Sequence, residues 1–105
     1  MYLLHILDAI QRILAYTGEG EAAFFADTKT QDAVVRNLEI IGEATKNLST
    51  ELKEGHPEVP WKQVSGMRDK LIHDYFGVNF RLVFEVVRQN LPVLKQSIES
   101  ILQGL

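Results

Sequence analysis

Apolar residues recur at helical spacing along most of this chain. Leu3, Leu7, Ile10 and Leu14 follow steps of four, three and four, which places them on one helix face, and Ile6 and Ile13 widen that stripe. Thr17-Gly18-Glu19-Gly20 ends the helix, because glycine accepts the left-handed backbone common at helix C-termini. Residues 21–25 predict a short further turn. Asp27 or Thr28 then caps a second long helix by accepting a bond from its free first-turn N–H groups. Val34, Leu38, Ile41 and Leu48 line one face of that helix. Gly42 falls in its middle, where glycine costs about 1 kcal/mol relative to alanine. Such a cost points to close approach by another helix.

Ser49 opens a short continuation up to Gly55. His56-Pro57-Glu58-Val59-Pro60-Trp61 is a break, and Pro60 suits the first position of a new helix, where its missing N–H would be unpaired anyway. Trp61, Val64, Met67, Leu71 and Phe76 supply the apolar contacts of a third helical region. Gly66 divides that region into a short turn and a longer helix, which ends at Gly77-Val78. Asn79 caps the last helix. There Phe80, Phe84, Val87, Leu91, Leu94, Ile98 and Ile101 repeat at steps of four and three, a continuous seam suited to an up-and-down bundle. Pro92 interrupts the seam. It removes a helix bond and crowds the preceding turn, which predicts a kink at residues 88–92. The prediction is an all-α bundle with a long kinked C-terminal helix, in one domain over residues 1–105. Short loops predict antiparallel neighbours.

The length of 105 residues fits one domain, and 46% hydrophobic residues are enough for a core. A formal net charge of -3 argues against a protein that coats nucleic acid through bulk charge, though not against a local phosphate site. With no cysteine, disulfides, thiolate metal sites and cysteine nucleophiles are excluded. No stretch approaches the ~20 apolar residues of a membrane span. Residues 1–8 lack the basic start of a signal peptide. The expectation is a soluble, cytoplasmic protein.

Chemistry concentrates in Arg68-Asp69-Lys70-Leu71-Ile72-His73-Asp74-Tyr75. On a continuous helix Asp69 and His73 are i,i+4 neighbours, so Asp69 would orient the imidazole and raise its basicity. Arg68 and Tyr75 lie about two turns apart on one face, whereas Arg68 and His73 diverge by about 140°. They converge only if Arg68 sits at a distorted helix start, or if a second chain completes the site. Arginine offers a planar fork to phosphate oxygens, and histidine moves a proton near neutral pH. Cleaving RNA needs both a base and an acid, and the motif holds one histidine. A two-fold dimer would supply two. His5 and His56 have no partner at useful spacing. Glu39 and Glu43 form an i,i+4 acidic pair, but no Glu-x-x-His accompanies them, so no metal site is expected. By spacing alone, Arg68 pairing with Asp74, Tyr75 as a core aromatic and Lys70 as a solvated side chain remain open.

Two longer segments carry a resemblance. Residues 30–44, Thr30-Gln31-Asp32-Ala33-Val34-Val35-Arg36-Asn37-Leu38-Glu39-Ile40-Ile41-Gly42-Glu43-Ala44, resemble the second-helix signature of HepT-type members of the HEPN superfamily. Pro60-Trp61 and the run from Gly66 to Val78 resemble the active-site segment of the same family, the toxin half of HepT–MntA toxin–antitoxin pairs. The resemblance implies a helical homodimer with a metal-independent ribonuclease site shared across it and no cofactor. It matches Arg68 and His73 to the catalytic pair. It matches Tyr75 to the tyrosine that the partner antitoxin, an MntA-like nucleotidyltransferase, modifies with AMP. Asp69 takes a polar position often held by asparagine in the family. Arg36, Asn37 and Glu43 match the second-helix signature as supporting residues, and Arg36 and Lys70 are RNA-binding candidates. Some HEPN proteins have lost nuclease activity. A non-catalytic binding or scaffold dimer, which partners a nucleotidyltransferase or binds nucleotides, is therefore the alternative.

Overall fold

The computed structural model describes residues 2–67, 69, 72–73 and 77–105, with residues 72, 73 and 77 described for the backbone only. Helix α1 (Tyr2–Tyr16) is followed by α2 (Glu21–Ala26), α3 (Thr28–Lys46), α4 (Thr50–Gly55) and α5 (Trp61–Ser65). A two-residue antiparallel pairing joins β1 (Ile72–His73) to β2 (Gly77–Val78). The chain ends in α6 (Phe80–Glu85), a π-helical segment (Val86–Asn90) and α7 (Leu91–Gln103). The architecture is all-α, as the periodicity predicts. So short a ladder does not change the class.

Helix α1 packs chiefly along α3 and also meets α7, while α3 packs against α5. The α1 stripe lies slightly off the expected axis. Leu3, Ile6, Ala9, Ile10 and Ile13 are buried, and Leu7 and Leu14 flank them as partly buried contacts. From α3 come Val34, Leu38, Ile41 and Ala44, and from α7 Leu91, Leu94, Ile98 and Ile101. These side chains form one contiguous core. Leu48 sits at its edge. Leu71 and Phe76 lie outside the described residues.

The predicted caps hold in atomic detail. Asp27 rather than Thr28 caps α3, its carboxylate accepting from the Lys29 backbone N–H at 3.0 Å and from the Thr30 hydroxyl at 2.9 Å. Ser49 Oγ accepts from the Leu52 N–H at 3.1 Å and starts α4. Asn79 Oδ1 accepts from the Leu82 N–H at 3.1 Å and starts α6. Pro60 is displaced by one position from the expectation. It is the residue before α5, and Trp61 is the first helical residue. The shift has a physical reason in the break itself, where Trp61 Nε1 donates to the His56 carbonyl at 3.0 Å and the Trp61 backbone N–H reaches the Val59 carbonyl.

An aromatic cluster that the periodicity did not reveal ties α2 to α6. Phe24 is fully buried, with ring centroids 5.2 Å from Phe84 and 6.2 Å from Phe80. Beneath it, the buried Gln31 Nε2 donates to the carbonyls of Phe24 and Phe25 at 3.1 and 3.2 Å. It thereby satisfies acceptors that the end of α2 leaves without intrahelical partners.

Ahead of Pro92, where the sequence predicts a kink at residues 88–92, the structure has a change of helix type. Residues 86–90 wind as a π-helix just before it, and Pro92 falls in the first turn of α7. A proline has no N–H for the carbonyl four residues back, and the wider turn accommodates that loss. Buried Val83, Val87 and Leu91 step by four twice across this segment, then the three-four alternation resumes. The expected seam started at Phe80 and Phe84. Those two are only partly buried, and Val83 takes the core position.

Candidate functional site

The chemistry-bearing segment leaves α5 through Gly66 and Met67. Directly before it in the chain, the end of α5 approaches α3 closely. A Cβ placed on Gly42 of α3 would lie 3.3 Å from the Ser65 carbonyl oxygen and 3.7 Å from that of Val64. The mid-helix glycine thus lets the end of α5 rest on the backbone of α3, as its cost predicted. Met67 and Val64 are buried there, anchoring the chain directly before the motif.

Asp69 is helical and exposed. Beyond it the backbone differs from the single helix expected through residues 67–76. Ile72 pairs with Val78 and His73 with Gly77 in antiparallel register. The backbone groups of 72–73 therefore find partners across a ladder rather than up a helix. β-branched Ile72 and Val78 suit such extended backbone. The i,i+4 relation between Asp69 and His73, which presumes one continuous helix, does not apply. Arg68, Lys70 and Tyr75 fall outside the described residues, and for His73 only the backbone is described.

Asp69 joins α3 at a cleft of about 420 Å³ lined by Arg36, Glu39, Ile40, Glu43, Lys46 and Asp69. The five α3 residues share one face through steps of three, one, three and three. Two cations stand at the ends of this face and two carboxylates between them, over a half-buried Ile40. Arg36, Glu43 and Lys46 are exposed, and among the described residues none of the three is in an ion pair. Three of the residues singled out from sequence (Arg36, Glu43 and Asp69) thus come together. Asn37 does not join them. It is buried on the other side of α3, its Nδ2 donating to the Ala33 carbonyl at 2.8 Å within its own helix. Glu39 and Lys46, which sequence reasoning did not assign to the site, belong to the cleft. The signal for them was present as their three- and four-residue spacing from Arg36 and Glu43.

A second groove of about 400 Å³ runs between α5 and the α6–α7 strand of helix, lined among others by Val59, Met67, Leu82, Val86 and Leu94, with Glu58 and Glu85 also in its walls. Among the described residues no helix is long and apolar enough to cross a membrane.

The described residues define an all-α protein, and comparison with known proteins places the chain in a family. The family model described as ribonuclease HepT-like matches residues 6–101. A protein named as a ribonuclease HepT from Thermococcus cleftensis is 48% identical over 101 residues, covering 95% of this chain and 92% of the relative. One named as an RNase from Caldanaerobacter subterraneus subsp. tengcongensis is 47% identical, covering 97% and 92%. One named as an RNase from Methanocaldococcus jannaschii is 40% identical, covering 99% and 87%. No solved structure matches the chain at a significant level. The chain belongs to the HepT-like ribonuclease family.

Proposed function

We propose that this protein is a metal-independent endoribonuclease, active as a homodimer, and the toxin of a toxin–antitoxin pair in the cytoplasm. The observation that carries the activity is the family match across residues 6–101, which includes the whole Arg68-to-Tyr75 segment. The cleft beside Asp69 supports it by offering cations next to that segment.

In this mechanism the RNA 2′-hydroxyl oxygen attacks the adjacent phosphorus, and its proton passes to the imidazole of one His73. Arg68 binds the non-bridging phosphate oxygens and stabilises the charge that grows on them in the transition state. The bond to the 5′-oxygen breaks, and that oxygen takes a proton from the imidazolium of the second copy's motif. The products are a 2′,3′-cyclic phosphate and a free 5′-hydroxyl. Asp69, Asn37 and Glu43 are supporting residues, and Arg36 and Lys70 contribute positive charge along the RNA.

Control falls on Tyr75. Its phenol oxygen attacks the α-phosphorus of ATP on an MntA-like nucleotidyltransferase, a phosphodiester forms, and pyrophosphate leaves. The attached AMP brings negative charge and bulk beside Arg68 and His73, which repels and obstructs RNA.

The test is RNA cleavage by the purified protein with chelator present. Wild-type protein should yield cyclic-phosphate ends. His73→Ala and Arg68→Ala should each lose cleavage by at least about 100-fold, with the oligomeric state unchanged by light scattering. Undiminished cleavage in His73→Ala would remove that residue from the mechanism. A wild-type protein that binds a nucleotidyltransferase yet cuts no RNA would favour a non-catalytic binding dimer.

A further inference from the structure

The α3 cleft has a composition that the cleavage chemistry leaves unexplained. Phosphate binding accounts for Arg36 and Lys46, but not for Glu43 between them, which has no ion pair among the described residues. The ten-residue separation of the two cations corresponds to about 15 Å along the helix axis. A strand of RNA laid along this face would meet a cation at each end and the Glu43 carboxylate between them. Phosphates are repelled from that carboxylate. A base edge that carries hydrogen-bond donors is attracted to it.

Guanine is the base whose pairing edge best suits a carboxylate. Its N1–H and N2–H donors lie side by side and can meet the two oxygens of one carboxylate in a planar, bidentate arrangement. Adenine and cytosine present one amino group beside a ring-nitrogen acceptor, which the carboxylate would repel. Uracil presents one N–H between two carbonyls. Glu43 is placed for this contact. It is exposed, it lines the cleft, and among the described residues its carboxylate has no ion pair. Its backbone is fixed separately, with the Glu43 carbonyl accepting from Asn47 Nδ2 at 2.9 Å. Ile40, one turn earlier in the same cleft, offers an apolar surface to the base ring. Asp69 also lines the cleft, and in the sequence it follows Arg68 directly.

We infer that this cleft is a base-recognition subsite that selects guanine in single-stranded RNA, with Glu43 accepting from N1–H and N2–H and with Arg36 and Lys46 holding the flanking phosphates. The inference rests on the ribonuclease reading of the motif for its biological use, but guanine binding can be measured without cleavage. The probes are 2′-O-methyl pentauridine and its variants with guanine, adenine or cytosine at the centre, which cannot be cut through the 2′-hydroxyl. Binding is read by fluorescence anisotropy on the full chain, wild type and Glu43→Gln. The guanine probe should bind about ten-fold tighter than the uridine probe, the scale of one bidentate base contact. Glu43→Gln should reduce that ratio to near one by weakening the guanine probe relative to the other three. Arg36→Gln should instead weaken all four probes alike.

Cleavage of the unmodified pentamers separates this inference from the ribonuclease assignment. Wild-type cleavage that ignores the central base, together with equal binding of the four probes, overturns the guanine subsite and leaves the ribonuclease intact. A guanine preference in binding that depends on Glu43, with no cleavage of any RNA, upholds the subsite and overturns the ribonuclease. A preference that survives Glu43→Gln, or binding to none of the probes, also overturns the subsite.

Discussion

Gly42 lies against the backbone of Ser65 so closely that an added Cβ would stand 3.3 Å from the Ser65 carbonyl oxygen. The contact couples a core helix to the segment that delivers the motif. Alanine would gain helix propensity at position 42 but would press on a backbone atom with little room to move. Valine adds two methyl groups to the same crowding. Gly42→Val should therefore destabilise the fold by about 1–3 kcal/mol, the usual cost of overpacking. Urea unfolding would measure it. RNA cleavage should fall by more than the loss of folded protein explains, because α5 leads directly into Arg68 in the sequence.

Asp27 supplies a pH-dependent contribution. Hydrogen bonds from the Thr30 side chain and the Lys29 backbone N–H hold its carboxyl below the usual aspartate range. A group whose folded pKa is depressed stabilises the protein above its unfolded pKa, and the contribution fades as pH falls through the folded pKa. Wild-type protein should thus be more stable than Asp27→Ala at neutral pH, and the gap should narrow below about pH 4. Thermal melts of both proteins from pH 7 to pH 3 would show it. A gap that stays constant over that range would mean the ionised cap is not its source.

Asn79 stands between the β2 residues and α6, and its side chain accepts from the Leu82 N–H. Asn79→Ala should cost about 1 kcal/mol, typical of a lost N-cap. The amides of α6 should lose hydrogen-exchange protection before those of α1 or α3. Asn79→Asp, which keeps an acceptor and adds a charge favourable at a helix start, should restore the protection.

Tyr75→Phe tests the proposed division between catalysis and control. The variant should cleave RNA as wild type does, and should gain no AMP mass when co-expressed with the nucleotidyltransferase. Its toxicity should then persist in the presence of the antitoxin. A variant that loses cleavage would instead make the phenol part of the reaction.

Much of this fold was legible because one periodicity dominates the chain. Val34, Leu38 and Ile41 on α3, and Leu91, Leu94, Ile98 and Ile101 on α7, occupy the predicted core face. Ser49 and Asn79 act as their chemistry predicts. The Phe24–Phe84 contact was not legible, since it depends on how two distant helices meet. The ladder at Ile72–His73 was hidden for a different reason. The run after Gly66 mixes apolar and charged residues, so its spacing admits helix and extended backbone alike, and the pairing of Ile72 with Val78 and of His73 with Gly77 decides at those positions. In the candidate site, Arg36, Glu43 and Asp69 were singled out for their resemblance, and the structure gathers them in one cleft. Asn37 carries the same signature, yet its side chain is engaged with its own helix. A motif letter alone does not distinguish a residue that faces the substrate from one that faces the core.

The π-helical turn at Val86–Asn90 also constrains how this chain can change over time. Losing one residue there would restore regular helical winding. Everything downstream would keep its facing, because the wide turn absorbs one extra residue: Leu91 stands eight residues after Val83 yet shares its buried face, where an uninterrupted α-helix needs seven. A homologue with a straight helix would therefore need one residue fewer here and the same C-terminal face, whereas a deletion within α7 itself would turn Ile101 off the core by about 100°.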